Sequence, residues 1–210
     1  NKDDATNHAV PSQNYRGVVI NALGLSGGIN NTIFQNNEAA LGGAVYLRGG
    51  GLAGGINNSQ FIDNTTLYNF DSYGAAGLTI YQGDLDGGIN SSLFKNNAAA
   101  GGEGGAIRIR GNLKGGIKDS EFIGNTIANG NGGALGITAN YTGGAWVGGN
   151  LEGGISNSTF SANEASGMGG GISISNFDGG INGGIFSENK AGAMGGALAA
   201  TGYFKGGIHN

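Results

Sequence analysis

The sequence predicts an all-β chain, a right-handed single-stranded parallel β-helix of about seven rungs, and three recurrences carry that prediction. A double glycine followed at once by isoleucine begins at Gly27, Gly54, Gly87, Gly115, Gly153, Gly179 and Gly206. Seven residues after the first glycine stands Phe34, Phe61, Phe94, Phe122, Phe160 or Phe186, and three further on stands Asn37, Asn64, Asn97, Asn125, Asn163 or Asn189. Between these phrases lies a second one, Gly-Gly-Ala leading into alternating apolar residues, as in Gly42-Gly43-Ala44-Val45-Tyr46-Leu47 and Gly104-Gly105-Ala106-Ile107-Arg108-Ile109. The double glycines are separated by 27, 33, 28, 38, 26 and 27 residues, the scale of a stacked repeat.

Each element follows from its residues. The run after the second phrase alternates strictly, the pattern of a strand with one face buried, and no run of period 3.6 is long enough for a helix. A unit of this size cannot bury its own apolar face, so units stack, each residue over its counterpart about 4.8 Å away. A parallel crossover of this kind is expected to be right-handed. The recurring asparagine suits a corner, where its amide bonds to the asparagines above and below and where it tolerates a left-handed backbone. The glycines serve corners or narrow places in the cross-section. A leucine-rich repeat would need Leu-x-x-Leu-x-Leu, which is missing, and a propeller blade would need a longer repeat.

Composition sets further bounds. Gly is 48 of 210 residues without a three-residue period and with one proline, which excludes collagen. The net charge is −4 and the basic residues are scattered, so no nucleic-acid partner is expected. The absence of cysteine excludes disulfides, thiolate catalysis and cysteine-held zinc. No apolar run reaches membrane length, so the chain is not expected to span a membrane itself. The whole of 1–210 is read as one repeat domain, a segment of a longer or end-to-end assembled protein.

Along the chain, Gly17-Val18-Val19-Ile20 matches the second phrase, with Ile20 aligned to Leu47, and Asn7-His8-Ala9 resembles the asparagine corner. The final Gly206-Gly207-Ile208-His209-Asn210 is the opening of a further rung and would complete the first rung of another copy, so head-to-tail self-association into a fibre is an alternative role. Two insertions break the period. Thr65 to Gly74 carries Tyr68, Phe70 and Tyr73, and Ala139 to Asn150 carries Tyr141 and Trp146. Their aromatics either bind a partner or fold back over rung edges.

Alternation sends Tyr46, Arg48, Thr79, Tyr81, Arg108 and Arg110 outward on three adjacent rungs, the densest cationic and aromatic patch in the chain. Arginine with tyrosine suits sugar rings and anionic groups, or else packs on itself on a solvated sheet. Before the double glycines, Asp86, Lys114, Glu152, Asp178 and Lys205 partly alternate in sign, as cross-strand pairing would arrange. Acids are otherwise single and dispersed, so no catalytic residues, metal site or cofactor are expected. A polysaccharide lyase or hydrolase is the less favoured alternative.

The pairing of Phe34-Gln35-Asn36-Asn37 with Gly42-Gly43-Ala44-Val45, and of Phe94-Lys95-Asn96-Asn97 with Gly104-Gly105-Ala106-Ile107, resembles the repeat signature of the chlamydial polymorphic outer-membrane proteins and related autotransporter passengers. The resemblance spans roughly residues 17–208. It implies a secreted β-helix on the bacterial cell surface, adhesive or self-associating, whose partner is a host or neighbouring-cell surface or a glycan. On that expectation the ligand-binding candidates are Tyr46, Arg48, Tyr81, Arg108, Arg110, Tyr68, Tyr73 and Trp146, and the phenylalanines and asparagines are structural ladders.

Overall fold

The computed structural model describes residues 20–68 and 74–210, and among them no helix occurs. The chain is a parallel β-helix. The residue after each double glycine opens a short strand, and these strands stack in one seven-stranded sheet from Ile29–Asn30 to Ile208–His209. The phenylalanine strands, Ile33–Gln35 through Ile185–Ser187, form a six-stranded sheet. The next face is another six-stranded sheet, Glu38–Ala39 through Lys190–Ala191. The alternating strands and the leucine strands before each double glycine share a 13-stranded sheet, joined because Val45–Leu52 is long enough to run through both positions.

Register is like over like. Ile89 pairs with Ile56 and Ile117, and Phe94 with Phe61 and Phe122. The phenylalanine rings stack with centroids 4.8, 4.9, 4.8, 4.5 and 5.2 Å apart along the column. Rungs are parallel throughout; the antiparallel pairing is a hairpin, Leu135–Thr142 with Ala145–Gly148, inside the second insertion. The core is the inward set of these columns, with Phe61, Phe94, Phe122, Phe160 and Phe177 fully buried. Burying such a side chain contributes about 1.5–3 kcal/mol.

The asparagine ladder forms. Each Nδ2 donates to the Oδ1 of the next rung, from Asn37 to Asn64 at 2.8 Å and on to Asn97, Asn125, Asn163 and Asn189 at 2.9 Å. The second Nδ2 hydrogen goes back to a phenylalanine carbonyl of the preceding rung, as Asn125 to Phe94 at 2.9 Å, and each Oδ1 also accepts the backbone N–H of the preceding asparagine. Every polar atom of a buried amide is thereby used, which removes the penalty of burying it. The left-handed backbone, however, is not at the ladder asparagine. It falls one residue earlier, at Asn36, Asp63, Asn96, Ala162 and Glu188, with φ near +55°. The ladder residue needs an extended backbone to aim its side chain inward, so its predecessor makes the turn.

The double glycines are corners whose backbones nearly touch from rung to rung. Gly87 and Gly88 both have positive φ (98° and 74°), and a Cβ on Gly55 would lie 2.7 Å from the Gly87 carbonyl oxygen.

Two boundaries differ from the sequence expectation. Ile20 pairs with Val45, not Leu47; Ala22 takes the Leu47 position, and the strands come back into step at Leu25 and Leu52 through an irregularity. Residues Arg48 to Gly50 are two more than the first rung has between those landmarks, so counting back from the glycines misplaced the register. The first insertion also begins later than Thr65: Thr65–Thr66 is a strand in register with Glu38–Ala39 and Ala98–Ala99. The matches proposed for Asn7-His8-Ala9 and Gly17 to Val19 lie outside the described residues.

Candidate functional site

Three strands of the 13-stranded sheet position the cationic and aromatic residues. Tyr46 pairs with Thr79, which pairs with Arg108; one step along, Leu47 pairs with Ile80 and Ile80 with Ile109. The following position in each rung holds Arg48, Tyr81 and Arg110, and Arg110 pairs with Thr138. The Tyr81 N–H donates to the Leu47 carbonyl at 2.8 Å, which keeps this step in register.

The inner row is not solvated as alternation alone predicts. Thr79 is fully buried and Arg108 is 4% exposed. The chain entering each strand folds back over its outer face. Thr79 Oγ1 accepts the Ala75 N–H at 2.9 Å, and Glu103 lies against the row at Gly136, the register partner of Arg108. Period-two alternation reports the direction of a side chain and not what later covers it, so Thr79 and Arg108 are corrected from surface to interior.

The remaining members gather around one ring. The Arg110 and Arg108 guanidinium carbons lie 5.2 and 6.0 Å from the Tyr81 centroid, and the Tyr46 ring is 6.4 Å from that of Tyr81. Tyr46, Tyr81 and Arg110 are half-buried and Arg48 is exposed. Burial pushes the Arg108 pKa below its usual range, the Arg110 charge pushes it further, and Glu103 with the two tyrosines opposes them. Burial pushes Glu103 upward, against a hydrogen bond from Asn131 and the charge of Arg108. The site therefore has a floor of buried Arg108 and half-buried Glu103, and an outer column of Arg48, Tyr81 and Arg110.

The loop candidates fall elsewhere. Tyr68 is half-buried at the start of the first insertion, and its N–H donates to the Ala40 carbonyl at 3.3 Å; Phe70 and Tyr73 lie outside the described residues. The second insertion is a hairpin continuing the strand of Thr138, closed by Gly143 and Gly144 with φ of 61° and 86°, values that a two-residue hairpin turn requires. Tyr141 and Trp146 face each other across it, edge to face at 5.2 Å, and are 54% and 67% exposed. They do not fold back onto the rungs.

Several devices were legible and went unread. A hydroxyl column at Thr32, Ser59, Ser92, Ser120 and Ser158 lies five residues after the first glycine of the first five pairs and is interrupted at Gly184. Ser92 Oγ accepts the Ser59 N–H at 3.1 Å and donates to the Asn90 carbonyl at 2.8 Å. A further ladder runs Asp84, Asn112, Asn150, Asn176, three residues before each double glycine. Lys114 binds Asp84 at 2.5 Å and Asp86 at 3.3 Å, and Lys205 binds Asp178 at 3.7 Å, so the alternating charges do pair. Burial raises the Asp84 pKa, but hydrogen bonds from Lys114 and Asn112 and the Lys114 charge bring it below the usual value. Among the described residues, no helix is long and apolar enough to cross a membrane, and no group of three acidic or histidine side chains is placed to hold a metal ion.

Comparison with protein-family models, with curated proteins and with solved structures found no match.

Proposed function

We propose that this chain is a structural and adhesive β-helix of a bacterial extracellular surface protein, a stiff rod that presents one face to a glycan or cell surface. The supporting observation is the outer column of Arg48, Tyr81 and Arg110, held on a rigid sheet above a buried Arg108. The resemblance of the repeat phrases to autotransporter passengers supports the location and the role. The ladders fix the rod so that the column is pre-organised, which lowers the ordering cost of binding.

The test is attachment of the purified chain to a panel of cells and immobilised glycans. Arg48→Ala with Arg110→Ala is expected to abolish attachment while leaving thermal unfolding unchanged. Arg108 is left intact, because its burial makes its removal a test of stability. Attachment that survives the double substitution removes this face from the reading.

A further inference from the structure

The chain carries a net charge of −4, yet Arg108 and Arg110 converge on the Tyr81 ring and Arg48 holds the corresponding position on the neighbouring rung. Among the described residues the ion pairs are made by Lys114, Lys118 and Lys205, and none by Arg48 or Arg110. Burial first, and the neighbouring guanidinium of Arg110 second, disfavour the charged form of Arg108, with Glu103 opposing them. An anion arriving at this place would relieve that repulsion.

The geometry also gives the site a direction. Arg48, Tyr81 and Arg110 occupy one position on three successive rungs, so the two arginines are rooted roughly 10 Å apart along the axis. The Glu103 segment covers the row on one side. On the other side the chain turns at Gly111 toward Asp84 and Asp86, which share Lys114 between them and leave that side with a net negative charge. At the end of the column Thr138 leads into the hairpin, which bounds the face on that side.

We infer that the Arg48–Tyr81–Arg110 column is a track for a linear acidic polysaccharide lying along the helix axis. Its carboxylates or sulfates meet Arg48 and Arg110, and one sugar ring lies beside Tyr81. This rests on the adhesive reading above and narrows its ligand. A nucleic acid fits less well: such binding draws on many phosphate contacts, typically 6–10, and this face exposes two arginines.

The test is calorimetric titration of the 210-residue chain with polygalacturonate, heparin, dextran and single-stranded DNA, at low and moderate salt. The expected result is binding to polygalacturonate or heparin, weakened by salt, with none to dextran. Preference between the two distinguishes ring carboxylates from sulfates. Arg48→Gln with Arg110→Gln is expected to lower affinity at least about tenfold, each lost charged hydrogen bond accounting for roughly that factor. Arg48→Lys with Arg110→Lys retains the charge but loses the forked geometry, and is expected to fall between. Equal binding of dextran, unchanged affinity in the glutamine variant, tighter binding of DNA, or no binding of either polyanion overturns the inference. The assignment of adhesion to this face falls separately, if cell attachment is the same in wild type and glutamine variant. Attachment lost in that variant but not competed by either polyanion leaves the adhesive reading and removes the acidic polysaccharide.

Discussion

The two halves of each rung follow different rules. From the first glycine of a pair to the ladder asparagine is ten residues in every complete copy, whereas the return from asparagine to the next glycine pair takes between 16 and 28. Besides the glycine pair, the invariant half contains two more left-handed corners, at positions such as Asn58 and Asp63, each followed by an inward polar residue, Ser59 and Asn64, that bonds to its counterparts. The variable half carries the arginine and tyrosine column, the insertion near Tyr68 and the Tyr141–Trp146 hairpin. In the invariant half buried hydrogen bonds lock one rung to the next at every corner, so length cannot change; in the variable half both insertions leave the rung before the Asp84–Asn112–Asn150–Asn176 ladder, and the stack stays intact.

The largest contrast is expected from insertions. Two glycines placed between Ile123 and Gly124 shift the corner before Asn125 out of its ladder and are expected to abolish cooperative unfolding. The same pair placed between Gly143 and Gly144 lengthens a solvent-exposed turn and is expected to cost less than about 1 kcal/mol, since each doubling of loop length costs only about 0.6. Urea denaturation of the two variants checks this, and equal losses would dissolve the distinction between the halves.

Single substitutions come next. Phe122→Ala is expected to cost about 3–5 kcal/mol, because the column closes only partly around the void. Asn125→Ala leaves the Asn97 N–H, the Asn97 Nδ2 and the Phe94 carbonyl without their bonds, at about 1–3 kcal/mol each, so its loss is expected to rival that of the phenylalanine. Trp146→Ala, on the exposed hairpin, is expected to cost no more than the edge-to-face pair, about 0.5–1.5 kcal/mol.

Titration probes two places within the variable half. The Glu103 pKa is raised above 4.5 in the folded chain, so the native state holds its proton more tightly than the unfolded chain does. Stability is therefore expected to fall as pH rises above that value, and Glu103→Gln is expected to flatten this slope. Asp84 behaves oppositely: its lowered pKa gives stability that is present above 3.8 and lost as pH falls toward the folded value. The smallest effect belongs to Lys114→Ala, under about 1 kcal/mol, because its ion pairs lie at the surface.

The invariant half was legible in the sequence because it consists of identities at fixed offsets. The isoleucine, phenylalanine and asparagine columns could be assigned by counting, and the structure places each where counting did. The serine column is equally countable, but serine is common at turns, and only the geometry of its hydroxyls distinguishes a bridge between rungs from an ordinary turn residue. The variable half was legible only in part. Alternation identified Arg48, Tyr81 and Arg110 as outward neighbours. It could not reveal that Glu103 would cover the row of Arg108, because that depends on how a glycine-rich entry segment folds back. Nor could composition tell whether Trp146 folds onto the rungs or projects; Gly143 and Gly144 hold the hairpin turn that lets it project.

The most direct measurement is of nuclear Overhauser contacts from the Phe122 ring in chain carrying selectively labelled phenylalanine. The account predicts strong contacts to both Phe94 and Phe160, whose rings lie 4.8 and 4.5 Å away although 28 and 38 residues distant in sequence. Contacts confined to residues near Phe122 in sequence, or to one of the two rings alone, would contradict it.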